Sequence, residues 1–192
     1  MVVGLTGKYC AGKDRAARVF EDHGFFVIDV DALGHQILAA NAARVMESFG
    51  PSVAAAGGGV DRRKLGRLVF ADPAALARLE AILHPPMVSR VKELIVENGG
   101  DIVINAAILH HMGLHLLCDA VVCVTAPLLI RLARAVRRDA LSVRDALARV
   151  RSQKGACPQS NDPPVDTYIV RNRGSARSLE HRIARLALRL RG

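Results

Sequence analysis

The residues best suited to chemistry lie near the start of the chain, where positions 7–14 read Gly-Lys-Tyr-Cys-Ala-Gly-Lys-Asp. The first seven match the phosphate-binding pattern G-x-x-x-x-G-K, in which glycines let backbone N–H groups surround a phosphate and the lysine reaches the β- and γ-phosphates. The eighth departs, because Asp14 replaces the usual Ser or Thr. A carboxylate can also ligate Mg²⁺, so we expect Asp14 to be a metal ligand that weakens binding of metal-free nucleotide.

Two carboxylates, Asp29 and Asp31, follow the second predicted strand. Ligand sites of open α/β sheets lie at the carboxyl ends of strands. Side chains two positions apart on an extended segment share a face, so we expect both carboxylates to enter one cleft, where they would orient an acceptor hydroxyl or hold Mg²⁺. A role for Asp31 as a helix N-cap is an equally good interpretation.

Apolar strands and amphipathic helices must position these residues. Strands are predicted at residues 2–6, 25–29, 102–104, 120–125 and 168–170. Helices are predicted at residues 13–22, 128–138, 142–153 and, with breaks at 50–51, 54–59 and 84–86, over most of 32–98. A strand, the glycine loop and a helix therefore follow one another as the phosphate motif requires. The alternation predicts a parallel sheet with an inserted helical lobe.

Composition limits the class of protein. With 192 residues, 51% of them hydrophobic, the chain fits one α/β domain with a small insertion and is neither collagen-like nor disordered. No apolar run approaches the roughly 20 residues of a membrane-spanning helix, and the first residues do not read as a secretion signal. We expect a cytoplasmic protein that does not bind membranes. Its four cysteines show no CxxC spacing, which favours reduced thiols.

The net charge of +9 is concentrated in the last third of the chain. Residues 131–192 carry 15 basic and 5 acidic side chains, whereas residues 1–130 carry 12 and 13. This asymmetry predicts an anionic partner. With no Trp, two Tyr and five Phe, the chain has few platforms for stacked bases, so a small phosphorylated ligand is favoured over nucleic acid.

Two cysteine-containing groups have competing interpretations. His110, His111 and His115 with Cys118 are a weak candidate zinc site, because no second cysteine pair completes it. Cys10 lies in the glycine loop near a helix N-terminus and Lys13, which favour its thiolate, while an inert small residue is an equally good reading.

The chain resembles the dephospho-coenzyme A kinases along nearly its whole length. Residues 5–13 resemble the family's Thr-Gly-Gly loop with its Gly-Lys, and Asp29-Val30-Asp31 resembles Asp-Ala-Asp. The most specific stretch comprises Asp61-Arg62-Arg63, Leu65, Val69-Phe70, Asp72-Pro73 and His84-Pro85. The family's lid signature is matched by Arg134, Arg138-Asp139, Arg149 and Gln153. Residues 169–174 resemble the family's last strand with its Asn-x-Gly turn.

The resemblance implies a P-loop kinase with a three-layer core, a parallel five-stranded sheet, an acceptor lobe and a lid. The core would comprise residues 1–31, 99–130 and 155–192, the helical lobe 32–98 and the lid 131–154. The implied reaction transfers the γ-phosphoryl group of ATP, with Mg²⁺, to the ribose 3′-hydroxyl of dephospho-coenzyme A. We expect a monomer or a weak homo-oligomer.

The resemblance also implies roles for individual residues. Asp31 would accept the hydroxyl proton, Lys13 would neutralise the transferring group, and Arg138 would close over it. The acceptor would contact Asp29, Asp31, His84 and Leu109. The nucleotide would contact Gly7, Lys8, Tyr9, Cys10, Ala11, Gly12, Lys13, Asp14, Arg15, Arg134 and Asn172.

Several positions depart from the family pattern. They are Asp14, His35, Asn105, His111 and Arg171, of which Asn105 and His111 replace two usual acids. The alternatives are therefore a nucleoside or nucleoside-monophosphate kinase, or a catalytically weakened nucleotide-binding regulator.

Overall fold

The computed structural model describes residues 1–139, 142–152, 157 and 165–191. The strands are β1 (Val2–Gly7), β2 (Phe26–Asp29), β3 (Ile102–Asn105), β4 (Ala120–Thr125) and β5 (Asp166–Arg171). The α-helices are α1 (Lys13–Asp22), α2 (Val30–Ala40), α3 (Ala42–Phe49), α4 (Arg62–Ala71), α5 (Pro73–Asn98), α6 (Leu128–Asp139), α7 (Val143–Ser152) and α8 (Ala176–Arg191). Short 3₁₀ turns occur at Pro51–Val53 and Leu114–Leu117.

The strands form one sheet in the order β2-β3-β1-β4-β5, and every pair is parallel. All four residues of β3 and most of β1 and β4 are buried, as expected for parallel strands covered on both faces. The predicted α/β core with a five-stranded parallel sheet is confirmed. Asn105 is in register with both Leu5 and Asp29, so the ends of β1, β2 and β3 meet at one edge.

The core of this sheet explains why α1 and α8 form. Ala16 and Phe20 of α1 are buried with Leu179 and Ile183 of α8 against Val122 and other strand residues. Burying a side chain such as Phe20 contributes about 1.5–3 kcal/mol. Because α1 follows the glycine loop directly, this packing fixes the position of the loop.

The chain divides into two compact units, one formed by Met1–Asp29 and the residues from Leu94 onward, the other by Val30–Glu93. The second unit has its own core of Val45, Phe49, Val53, Leu65, Val69 and Ala75. Asp61 is the N-cap of α4, where it accepts from the N–H groups of Arg63 (2.9 Å) and Lys64 (3.1 Å). The Lys64 hydrogen bond, above all, lowers the pKa of Asp61. This member of the most specific motif therefore starts a helix.

One local prediction in the second unit is wrong. The helix break at residues 84–86 is absent, since α5 continues through Pro85 and Pro86. Beyond the prolines, Met87 and Val91 are buried, and this packing outweighs the two missing N–H donors. The breaks at 50–51 and 54–59 are confirmed, because they fall between α3 and α4.

The expected extended conformation of residues 29–31 is also wrong. Asp29 ends β2, but α2 begins at the next residue, so Asp31 lies in the first turn of a helix. The two-residue rule for a shared face does not apply across this boundary. Both carboxylates are exposed.

Cysteine pairing corrects a third expectation. Cys123 on β4 forms a disulfide with Cys157, whereas Cys10 and Cys118 are thiols. A separation of 34 residues carries no sequence pattern for such a pair. Gln153 and, apart from Cys157, the part of the expected core at residues 155–164 lie outside the described residues. No helix within the described ranges combines the length and apolarity needed to cross a bilayer.

Candidate active site

The glycines of the phosphate loop are required by close backbone contacts. Gly12, at the start of α1, has φ 110°, and a Cβ there would lie 2.8 Å from Asn172 Nδ2 and 2.9 Å from Leu179 Cδ2. A Cβ on Gly7 would lie 2.6 Å from the carbonyl oxygen of Val124. A larger residue at either position would push the loop away from β4 or α8. Both ends of the loop therefore pack closely against neighbouring elements of the core.

Two polar side chains hold the loop backbone. The buried Asn172 donates from Nδ2 to the Ala11 carbonyl at 2.7 Å. Arg134 of α6 donates to the carbonyls of Cys10 and Ala11, each at 3.4 Å, and to Asn172 Oδ1 at 3.4 Å. Both residues were predicted to contact nucleotide, and in this structure their side chains contact the loop that would hold it.

Lys13 is oriented by a residue whose role the sequence did not reveal. Its Nζ donates to Asn105 Oδ1 at 2.6 Å, and its side chain is only 12% exposed. Asn105 is buried at the end of β3. In the sequence Asn105 was noted only because the family has an acid at this position. Its neutral amide oxygen accepts from the lysine and positions it without neutralising its charge. Asn105 is in register with Leu5 of β1, and no local sequence signal indicates its contact with Lys13.

Asp14 lies among cations at the exposed side of the loop. Its carboxylate is 3.6 Å from Lys13 Nζ and 3.9 Å from Arg138 Nη1. The Arg138 guanidinium also lies over the Tyr9 ring, 5.3 Å from its centre. The structure therefore brings Asp14, the predicted metal ligand, and Arg138, the predicted catalytic arginine, together beside the loop in the same unit. Their opposite charges attract one another.

The other predicted residues are distributed more widely. Arg15 pairs with Glu180 of α8 at 3.0 Å, on the surface formed by these two helices. Leu109 is fully buried, with Cδ2 2.7 Å from where a Cβ of Gly4 would stand, so it belongs to the core beside β1. Lys8 is half-buried in the loop. In the second unit, His84 of α5 is half-buried.

The candidate zinc group receives no support. The rings of His110 and His115 stack with centres 4.9 Å apart, and the Cys118 thiol donates to the Leu114 carbonyl at 3.3 Å. Burial, chiefly, raises the pKa of Cys118 to about 12. Zinc binds the thiolate, which this environment disfavours.

Arg131 is a further buried cation that the sequence placed only in a basic cluster. Its side chain is 7% exposed, and its Nε donates to the Ala126 carbonyl at 3.2 Å. Its Nη1 is buried without a hydrogen-bond partner among the described residues. Burial lowers the pKa of Arg131, while the negative charge of a Cys10 thiolate raises it.

Comparisons with known proteins show which family the chain resembles. A sequence model described as dephospho-CoA kinase matches residues 1–177. The dephospho-CoA kinase of Streptomyces avermitilis is 40% identical over 156 residues, which cover 79% of this chain and 76% of the relative. That of Anaeromyxobacter dehalogenans is 34% identical over 198 residues, covering 100% and 92%.

Solved structures give the same picture of the fold. The crystal structure of TT1252 from Thermus thermophilus superposes with a TM-score of 0.83 at 29% identity, covering 100% of this chain and 98% of that one. A dephospho-CoA kinase from Campylobacter jejuni superposes with a TM-score of 0.62 at 23% identity, covering 98% and 96%. The second likeness concerns the fold alone.

Proposed function

The chain belongs to the dephospho-coenzyme A kinase family, and from that premise we propose which of its residues carry the reaction. The enzyme is an ATP-dependent kinase that phosphorylates dephospho-coenzyme A to coenzyme A. The observation that carries the residue assignment is the Lys13–Asn105 contact inside a strand–loop–helix phosphate site. The γ-phosphoryl group moves from ATP to the ribose 3′-hydroxyl of the acceptor, and ADP leaves.

Lys13 is the proposed stabiliser of charge on the transferring group. Its low exposure and its hydrogen bond to a neutral amide support this role, because the amide orients the ammonium without adding a negative charge of its own. Phosphoryl transfer depends on positioning and charge stabilisation far more than on covalent chemistry.

Asp31 is the proposed acceptor of the hydroxyl proton. Its carboxylate is exposed in the first turn of α2, two residues after the end of β2, where ligands of parallel sheets bind. A general base of this kind contributes about 10²-fold or more to turnover. Asp29 and His84 stay predicted acceptor contacts. A contact with Leu109 would require movement of a fully buried side chain.

Arg138 is the proposed closing arginine, and Asp14 the proposed Mg²⁺ ligand. The Asp14 carboxylate is 68% exposed and offers the oxygen donors that Mg²⁺ prefers, so the residues present fit the ion. When bound, Mg²⁺ would neutralise phosphate charge. Arg138 is 53% exposed near the same carboxylate, and closure of the lid arginine over the phosphates would exclude water.

An acceptor panel tests the function. The purified chain with ATP and Mg²⁺ is offered dephospho-coenzyme A, AMP, CMP and adenosine, and products are identified by mass spectrometry. Coenzyme A and ADP in equal amounts are expected. Preference for AMP or CMP would indicate a nucleoside-monophosphate kinase, and ATP binding without transfer would indicate a regulator.

In the same assay Asp31→Asn should lower turnover about 10²-fold with ATP affinity unchanged, and equal loss of ATP binding would refute its role.

A further inference from the structure

Cys10 combines three features that the phosphoryl transfer does not use. Among the described residues it is the only non-glycine residue with positive φ, at 58°. Its side chain is half-buried within the phosphate loop, and it is a thiol rather than part of the Cys123–Cys157 disulfide. It precedes the N-terminus of α1 by three residues, where the helix dipole favours negative charge. A thiolate is therefore favoured at an accessible position.

Arg131 supplies a second, independent observation at the same place. Arg134 of α6 donates to the Cys10 carbonyl, and residues three apart on a helix share a face, so Arg131 faces the loop as well. The Arg131 side chain is more than nine-tenths buried, yet its Nη1 has no hydrogen-bond partner among the described residues. A buried guanidinium N–H without an acceptor is costly, and this one lies within electrostatic range of the thiol. Within the described residues this N–H has no acceptor, and an anion bound at the loop could supply one.

We propose that Cys10 is a reversible redox modification site that exchanges with low-molecular-weight disulfides bearing carboxylates, with glutathione disulfide as the representative. The Cys10 thiolate attacks one sulfur of the disulfide and forms a new S–S bond. The original S–S bond breaks, and the other half leaves as a thiolate that takes up a proton from water. Cys10 is oxidised and the departing half is reduced, so no other oxidant is needed.

The charges around the loop explain the choice of an anionic disulfide. Arg134 donates to the loop carbonyls and Lys13 follows the loop directly, so the loop is flanked by cations. A carboxylate on the incoming molecule offers the acceptor that Arg131 Nη1 does not find among the described residues. Cys118 provides the internal contrast, because it is half-buried like Cys10 but desolvation raises the pKa of its thiol to about 12. It should therefore stay unmodified under the same conditions.

Modification would also close the phosphate site. A mixed disulfide at Cys10 occupies space inside the loop whose backbone N–H groups are proposed to hold the ATP phosphates. This consequence, unlike the exchange itself, rests on the proposed function. ATP and the disulfide should therefore exclude one another, and a thiol reductant should restore nucleotide binding.

The test follows adduct formation on the full chain by peptide mass spectrometry, which needs no acceptor and so is independent of kinase activity. Glutathione disulfide at neutral pH should modify Cys10 about tenfold faster than cationic cystamine does, and about tenfold faster than it modifies Cys118. Saturating ATP should slow the reaction at Cys10, and dithiothreitol should remove the adduct. Cys118→Ser serves as the matched control and should leave the rate at Cys10 unchanged.

Arg131→Met should abolish the preference for the anionic disulfide, with Arg131→Lys retaining part of it and circular dichroism checking the fold of both. If Arg131→Met does not fold, the comparison of glutathione disulfide with cystamine on the unmodified chain still decides. Equal rates for the two disulfides, equal rates at Cys10 and Cys118, or an unchanged preference in a folded Arg131→Met protein would overturn the proposal. Exchange at Cys10 without ATP protection would refute only the phosphate-loop consequence.

Discussion

The two sides of the phosphate loop are built differently. On the inner side, Lys13, Asn105 and Asn172 are buried or nearly so, and their hydrogen bonds measure 2.6 and 2.7 Å. On the outer side, Asp14 and Arg138 are exposed and their ion pair measures 3.9 Å. Short buried hydrogen bonds fix geometry, whereas exposed ion pairs are weak and exchangeable. The inner side therefore shapes the loop, and the outer side balances charge that a nucleotide can replace.

Lys13→Met should have the largest effect. It removes the charge proposed to neutralise the transferring group and leaves Asn105 Oδ1 without its donor. Turnover should fall about 10³-fold. Steady-state kinetics with dephospho-coenzyme A measures this, with Lys92→Met on the exposed surface of α5 as the control. A loss smaller than about tenfold would show that the inner side does not stabilise the transition state.

Arg138→Gln should come next, with a fall in turnover of about 10²-fold if this arginine closes over the phosphoryl group. Arg137, its exposed neighbour on α6, provides a matched control of the same chemistry. Arg137→Gln should change turnover less than twofold. Equal effects of the two substitutions in the same kinetic assay would remove Arg138 from the mechanism.

Asn172→Ala should act on loop shape. It deletes the 2.7 Å hydrogen bond to the Ala11 carbonyl and an acceptor of Arg134. Stability should fall by about 2 kcal/mol and ATP affinity about tenfold, because a buried polar group loses its partner. Urea denaturation and calorimetric titration measure the two quantities. Asn98→Ala, which deletes a comparable but exposed bond of 2.8 Å on α5, should cost less than about 0.5 kcal/mol. Equal losses would show that the buried hydrogen bond of Asn172 does not stabilise the inner side more than an exposed bond would.

The sequence predicted the framework of the core well, because strand and helix periodicity there agree with local signals. The α1 bounds follow from the glycine loop and the apolar spacing of Ala16 and Phe20. The helix through Pro85 and Pro86 could not be predicted, because packing of Met87 and Val91 outweighs the local penalty.

The site was predictable at the level of motifs but not of contacts. The loop and Lys13 were evident from spacing, whereas the Lys13–Asn105 bond depends on strand register across 92 positions. Arg15 and Asn172 were named for the nucleotide, yet their partners are Glu180 and the loop itself. Side-chain direction at a helix start or after a strand depends on packing that the linear pattern does not contain.

Titration of Asp14→Ser with ATP tests whether the outer side of the loop balances charge that a nucleotide can replace. The Asp14 carboxylate pairs with Lys13 and Arg138, so metal-free phosphates must compete with it for these cations. The substitution should raise affinity for ATP with a chelator present about fivefold, the size typical of exposed charge pairs, and leave affinity for Mg-ATP roughly unchanged. Asp22→Ser, at the exposed far end of α1, should change neither. An Asp14→Ser protein that binds metal-free ATP no better than the parent would show that Asp14 does not compete with the phosphates for these cations.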